Sequence, residues 1–346
     1  MKKLSFFLLA VAALSLWSRA EAKAPQKEWD AYKAQFISAD GRNIDRQQGK
    51  TSTSEGQGYA MLLAEGFDDY PAFQKIWRWT KNNLQVRKND RLFAWEWGKR
   101  PDGQWAAIDL NNATDGDTLI AYALVLAGRK WRNASYISAG RAIAADIRKH
   151  LVIERNGMLL VLPGCYGFSS NDALVMNPSY FIWPAYRIFG EVDNKQFWSR
   201  VYRDSMKLLG KARFTVFGLP PDWMTVNRAG APLPTGKRSV YGYSAIRVLL
   251  YLAWEKDKTG LSPFKKFIGL YKCLGFIPRE VDLANNTFSM DDAPAGFYAV
   301  YARAARQLGE PGLGRILEQK AAQKLKLESG SYYSNSLYLL SLMEWK

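Results

Sequence analysis

Glu55 and Asp115 are the two residues whose neighbours best equip them for chemistry. Glu55 stands in Ser54-Glu55-Gly56-Gln57-Gly58-Tyr59-Ala60-Met61, at the mouth of an apolar helical pattern. A helix starting there makes Ser54 its cap, with Gln57 three residues on reaching back to complete a capping box. Glu55 then lies in the first turn with no capping duty, between two glycines that keep other side chains clear of it. It is free to act as a general acid on a bound ligand. Ala113-Thr114-Asp115-Gly116-Asp117 repeats the arrangement: Thr114 caps, Asp117 is its capping-box partner, and Asp115 is the spare carboxylate. Acids in a first turn are also favoured by the helix dipole alone, which is the plainer reading of either motif taken singly.

Other chemistries find little support. His150 is the single histidine and sits at an expected helix end, Lys149-His150-Leu151, where a positive group suits the dipole. Histidine triads and histidine metal clusters are therefore excluded, and no metal or cofactor is expected. Cys165 and Cys273 are the two cysteines, far apart and without Cys-x-x-Cys spacing, which argues against zinc and leaves a disulfide open. Gly56-x-Gly58 lacks the third glycine and the preceding strand of a phosphate loop. The net charge of +16 comes from Lys and Arg scattered through helical patterns, not from blocks, so nucleic acid is not an expected partner. Anionic envelope lipids or polysaccharides fit that charge better.

Positioning these carboxylates falls to a helical chain. Lys2-Lys3, the apolar run Leu4 to Trp17 and Ala20-Glu21-Ala22 have the three zones of a secretory signal, with cleavage after Ala22. The run is shorter than the roughly 20 residues that span a bilayer, and no later segment serves, so a secreted or periplasmic protein without a membrane span is expected. Removing Lys2, Lys3, Arg19 and Glu21 with it lowers the net charge from +16 to +14. No linker divides residues 23–346, which read as one domain and a monomer. Helical apolar spacing recurs near 27–37, 57–67, 71–84, 115–131, 134–150, 178–189, 195–211, 239–256, 263–273, 295–307, 311–324 and 332–345. The best strand candidate is Met158-Leu159-Leu160-Val161-Leu162. Apolar, small-residue helices (115–131, 332–345) alternate with basic ones (134–150, 195–211), which predicts inner and outer layers of an all-α fold. Aromatics make up 14% of the chain, and many, among them Trp95, Trp97, Trp105, Tyr166, Trp223 and Tyr332-Tyr333, fall in loops or at helix starts. Flat rings there suit the C–H faces of pyranose sugars.

The segment Ala113-Thr114-Asp115-Gly116-Asp117-x-x-Ile120-Ala121-x-Ala123-Leu124-Val125-x-Ala127-x-x-x-Trp131 resembles the signature of glycoside hydrolase family 8, which includes endoglucanases, licheninases, chitosanases and xylanases. Ser54-Glu55-Gly56-Gln57-Gly58-Tyr59 is similar to that family's general-acid motif. Ala94-Trp95-x-Trp97, Asn177-Pro178-Ser179-Tyr180, Pro221-Asp222-Trp223 and Tyr333-x-x-Ser336-Leu337-Tyr338 look like its further landmarks, in order. The resemblance covers nearly all of the chain beyond the signal and is nearest to the exported cellulases that accompany bacterial cellulose synthases. It implies an (α/α)6 barrel with a cleft across the inner-helix N-termini, and endo-β-1,4-glucanase action on cellulose with inversion. On that reading Glu55 is the acid and Asp115 holds the sugar at the cleavage point. Trp95, Asn177, Tyr180, Asp222, Tyr243, Ser244, Arg247 and Tyr333 contact substrate. A helix N-terminus works against a protonated carboxyl, so burial or the nearby Asp115 has to counter it at Glu55.

One position departs from the family. Many members carry the water-activating base as the aspartate of Tyr-Asp-Ala-x-Arg, whereas this chain reads Gly242-Tyr243-Ser244-Ala245-Ile246-Arg247. A serine hydroxyl is far too weak a base to do this unaided. Asp172, in the loop before Asn177, is the substitute the sequence offers, against its reading as a surface turn. A xylanase or licheninase differs only in subsites. A chitosanase would attract a cationic polymer against the chain's own charge. A cellulose-binding clamp that has lost catalysis at Ser244 is the alternative outside the enzymes.

Overall fold

Long apolar segments with small residues can be buried on every side, whereas segments with a charged stripe can cover them from outside. In the computed structural model, which describes residues 24–234 and 239–344, the helices divide in that way. The expected signal segment 1–22 lies outside the described residues. We number the principal helices α1 Ala24–Phe36, α2 Ser54–Gly66, α3 Tyr70–Asn83, α4 Thr114–Lys130, α5 Ala134–His150, α6 Trp183–Val192, α7 Lys195–Lys211, α8 Ile246–Trp254, α9 Ala295–Gln307, α10 Pro311–Leu327 and α11 Tyr332–Leu342. Four short helical pieces lie between Lys258 and Leu274.

Burial separates two layers. α2 is buried continuously from Gly56 to Glu65, α4 from Thr114 to Gly128, α8 from Ile246 to Trp254 and α9 from Ala295 to Ala305. α3, α5 and α7 bury only one stripe each, such as Phe73, Ile76, Trp79 and Thr80 of α3. The inner helices touch in sequence, α2 on α4, α4 on α6, α6 on α8, α8 on α9, α9 on α11, and α11 back on α2. α3, α5, α7 and α10 pack on α2, α4, α6 and α9 from outside, and α1 packs on α11. Among the described residues no helix is long and apolar enough to cross a membrane.

Most expected helices sit within a few residues of their positions. Three differ. The segment 178–189 is a turn of 3-10 helix, Pro178–Tyr180, followed by α6, because Asn177 caps the turn and Pro184 starts the next helix. Residues 239–245 do not belong to α8: Val240–Tyr241 is a strand and the next residues are held by a buried carboxylate described below. The segment 263–273 is broken into short pieces that end at Gly275, whose φ of 73° is left-handed and suits glycine.

Small antiparallel sheets connect the helices at their starts. β1 (Ser52–Thr53) pairs with β2 (Glu96–Lys99), and β2 with β3 (Trp105–Asp109), in register Thr53↔Glu96 and Ser52↔Trp97. β4 (Val152–Arg155) pairs with β5 (Met158–Val161), the strand foreseen in the sequence. β6 (Ala173–Met176), β7 (Met224–Asn227) and β8 (Pro232–Pro234) form a third sheet. β9 (Val240–Tyr241), β10 (Val281–Asp282) and β11 (Thr287–Phe288) form a fourth.

Candidate active site

Local hydrogen bonding fixes Glu55 at the end of α2. The cap is Thr53, one residue earlier than expected, and its hydroxyl accepts the Gly56 N–H at 3.0 Å. Ser54 is thus the first helical residue, and its N–H donates to Trp95 O at 2.9 Å, which ties this motif to the residue before β2. Gln57 makes no capping box. It is buried, accepts the Asn43 N–H and donates to Thr80 Oγ1 at 2.6 Å, pinning α2 to α3.

The second motif also keeps its helix start but changes partners. The cap position of α4 is Ala113, and the Thr114 hydroxyl donates instead to Leu162 O at 2.7 Å. Asp117 has the structural duty expected of it, by another route: its carboxylate accepts Phe93 N–H at 2.8 Å and Asn112 Nδ2 at 2.7 Å, holding the segment that leads to Trp95. Asp115 remains spare and is buried, with Oδ1 accepting the Gly116 N–H at 2.8 Å.

Arg247 joins the two carboxylates. Its side chain is only 6% exposed, and Nη1 donates to Asp115 Oδ2 at 3.0 Å, pairs with Glu55 Oε1 and reaches Tyr59 Oη at 3.3 Å. Nη2 donates to Ser179 Oγ at 2.8 Å, and that hydroxyl donates to Asn177 Oδ1 at 2.7 Å. The Tyr59 hydroxyl donates to Glu55 Oε1 at 3.0 Å. Burial raises the Asp115 carboxyl, against hydrogen bonds from Gly116 and Tyr180 that lower it, while the guanidinium beside it favours the ionised form.

An open cleft of about 730 Å³ lies over this group. Of the residues singled out in the sequence, Glu55, Trp95, Tyr243, Ser244, Arg247, Tyr332 and Tyr333 line it. Tyr333 donates its hydroxyl to Tyr243 O at 2.5 Å, and their rings lie 6.2 Å apart. Asn177 and Tyr180 stand behind Arg247, the tyrosine ring 5.7 Å from the guanidinium. Asp222 lies beneath the Ser244 turn, its Oδ1 accepting N–H groups from Gly242, Ser244 and Ala245. Asp172 is elsewhere: its side chain is 85% exposed and pairs with Arg228 at 2.9 Å, as in the surface-turn reading. Cys165 and Cys273 are both free thiols.

The sequence missed part of the lining. Asp45, Glu96, Arg279, Asp292 and Glu328 all face the cleft. None sits in a capping or glycine-rich motif, and only Glu96, between Trp95 and Trp97, had a neighbour that could have flagged it.

Comparison with known proteins follows the same lines. The pattern of glycosyl hydrolases family 8 matches residues 1–346. The chain belongs to that family. An endoglucanase of Cellulomonas uda is 38% identical over 306 residues, covering 88% of this chain and 82% of that one. A probable endoglucanase of Novacetimonas hansenii is 35% identical, covering 80% and 81%. The structure of an endo-β-1,4-glucanase from Acetobacter xylinum superposes with a TM-score of 0.81 at 33% identity, covering 92% of this chain and 96% of that one. The segment that resembles the family's general-acid motif begins α2, the one that resembles its signature begins α4, and Ser244 lies on the turn before α8.

Proposed function

We propose that this family 8 chain is an exported endo-β-1,4-glucanase that hydrolyses internal bonds of cellulose by inversion. The observation that carries the reading is the pairing, through Arg247, of Glu55 in the lining of an open, aromatic-edged cleft with Asp115 buried behind it. An open cleft admits the middle of a polymer, and endoglucanases stand among the relatives. The closed run of inner-helix contacts, with an outer helix on most of them, supports an (α/α)6 barrel.

The chemistry follows from which oxygen is occupied. Both donors to Glu55, Tyr59 Oη and Arg247 Nη1, act on Oε1, so Oε2 is the oxygen that carries a proton and delivers it to the departing glycosidic oxygen. Asp115, fixed by Gly116 and Arg247, accepts a sugar hydroxyl and holds the ring at the cleavage point. Inversion further requires a water activated on the opposite face of the sugar, with acid and base about 6.5–9.5 Å apart.

The test is reducing-end release from carboxymethyl-cellulose by the wild type and by Glu55→Gln. Turnover that falls by about 10²–10⁴-fold in the variant supports the reading. An inert wild type, or an unimpaired variant, overturns it. Rates on xylan and mixed-linkage glucan rank the substrates. The secretory pattern of residues 1–22 supports export to the periplasm or beyond, the chain reads as a monomer, and a cellulose-synthase operon around its gene would link it to cellulose synthesis.

Ser244 favours one second reading, since it lines the cleft where a carboxylate is expected. A clamp that binds cello-oligosaccharides without turnover would show heat on mixing with cellohexaose and no products.

A further inference from the structure

Trp97 and Trp105 stand outside the cleft and form a surface of their own. β2 and β3 pair with Trp97 opposite Ala107 and Lys99 opposite Trp105, so the two tryptophans are diagonal neighbours on one face of the hairpin. Their rings lie 5.3 Å apart and 27° from parallel. The buried Trp79 packs edge-on against Trp97 at 5.3 Å, and the Arg42 guanidinium lies 4.3 Å from the Trp97 ring and 4.9 Å from the Trp105 ring. Arg42 is itself fixed, its Nε donating to Ser52 Oγ at 2.8 Å and its Nη2 to Lys50 O. The pair is thus held rigidly before any ligand arrives, yet Trp105 is 43% exposed. A large ring kept in place and left in water marks a contact surface.

The two rings border a groove of about 340 Å³, whose other walls include Asn82 and Asn83 from the end of α3 and the exposed Val86 and Leu110. That volume falls within the roughly 300–1,000 Å³ of ligand clefts. Among the described residues no carboxylate lines it, whereas the cleft has Glu55, Asp45, Glu96, Asp292 and Glu328. The groove therefore lacks acid–base groups. It offers flat rings to C–H faces and side-chain amides to hydroxyls, the two kinds of contact an uncharged sugar makes. Its position continues the cleft. Thr53 and Glu96, paired across β1 and β2, line the cleft; in the next pair Trp97 borders the groove and Ser52 holds Arg42. One hairpin is a wall of both.

Resting on the glucanase reading above for the identity of the ligand, we propose that this groove is a second, non-catalytic binding site for β-1,4-glucan. A pyranose ring stacks on Trp105, and its hydroxyls bond to the amides of Asn82 and Asn83. A strand held there is tethered beside the cleft, which raises the local concentration of polymer at Glu55. An oligosaccharide that spans only the cleft gains nothing from the tether, so the effect of the site belongs to polymeric substrate.

Binding is read in the Glu55→Gln background, where cleavage does not erode the matrix, by depletion of protein onto phosphoric-acid-swollen cellulose. Trp105→Ala should raise Kd by at least about tenfold, as loss of an aromatic anchor does, and Trp105→Tyr, which keeps a ring, should recover most of the binding. Thermal melts of both variants verify that the fold is intact. With Glu55 restored, Trp105→Ala should lower the rate on swollen cellulose at least about fivefold more than the rate on cellohexaose. Unaltered binding by Trp105→Ala, a tyrosine variant that binds no better than the alanine one, or equal losses on the two substrates overturns the site. So does a dimer that Trp105→Ala dissolves, since the groove then takes a second copy of the chain. A wild type inert on cellohexaose that still holds cellulose through Trp105 removes the glucanase reading and leaves the site. An active wild type whose binding ignores Trp105 removes the site and leaves the reading.

Discussion

Gly116 presses directly on the acid motif: a Cβ built on it would lie 2.1 Å from Ser54 Oγ and 2.8 Å from the Glu55 backbone nitrogen. Gly58 does the reverse, since its Cβ would meet Leu119 Cβ at 2.6 Å. The glycines beside the two carboxylates therefore exist less to clear the ligand side than to let α2 and α4 touch at their N-termini. That contact sets the spacing between Glu55 and Asp115.

Gly116→Ala should consequently damage function more than stability. Overpacking of this kind costs about 1–3 kcal/mol, which urea unfolding would register. The displaced Glu55 backbone should lower kcat on cellohexaose by at least about tenfold, given how steeply rate depends on the placement of a catalytic group. A variant with normal kcat would show that the contact does not position the acid.

Arg247 is the second lever, because one guanidinium satisfies Glu55, Asp115 and Ser179 together. Arg247→Met leaves buried acids unpaired and should cost about 3–5 kcal/mol in unfolding free energy, with near-complete loss of turnover. Arg247→Lys keeps the charge and loses the fork, so it should recover part of the stability and little of the rate. Full rate in the lysine variant would mean that charge alone suffices.

Asp172→Asn should leave kcat and the product anomer unchanged, since the residue is an exposed partner of Arg228 and such pairs are worth about 0–1 kcal/mol. Product NMR on cellohexaose checks both. A loss of about 10²-fold in a folded variant would restore Asp172 as the base.

How far the site could be read from sequence follows from what kind of signal each residue leaves. Glu55 and Asp115 were legible because each starts a long apolar helix, and helix periodicity extends over many residues. Their caps were misplaced by one residue at Thr53 and reassigned at Thr114, since capping partners such as Leu162 O and Phe93 N lie far along the chain. The strands Ser52–Thr53 and Val240–Tyr241 are too short to show alternation, so the turn at 242–245 read as helix. Asp222 looked like a substrate contact, because nothing local reveals that residues 242–245 fold over it. Arg279 and Asp292 face the cleft from loops with no periodic pattern at all.

The buried acids also predict how stability varies with pH. Burial raises Asp115, Asp117 to about 8 and Asp222 to about 6, from an ordinary 3.8. Between those limits the folded chain holds protons that the unfolded chain has released, so each group's contribution is full below about pH 4 and fades as pH rises through its folded value. Asp69 and Asp90 have the opposite sign. Burial raises them, but bonds from Lys33 and Arg87 bring them below 3.8, so their contribution is lost only as pH falls below that value. The maximum should lie near pH 4–5, and urea midpoints should fall steadily from pH 5 to pH 8. Asp222→Asn, which cannot bind the extra proton, should flatten that slope in its lower half. Midpoints that rise toward pH 8 in the wild type would show that these carboxyls are ionised throughout.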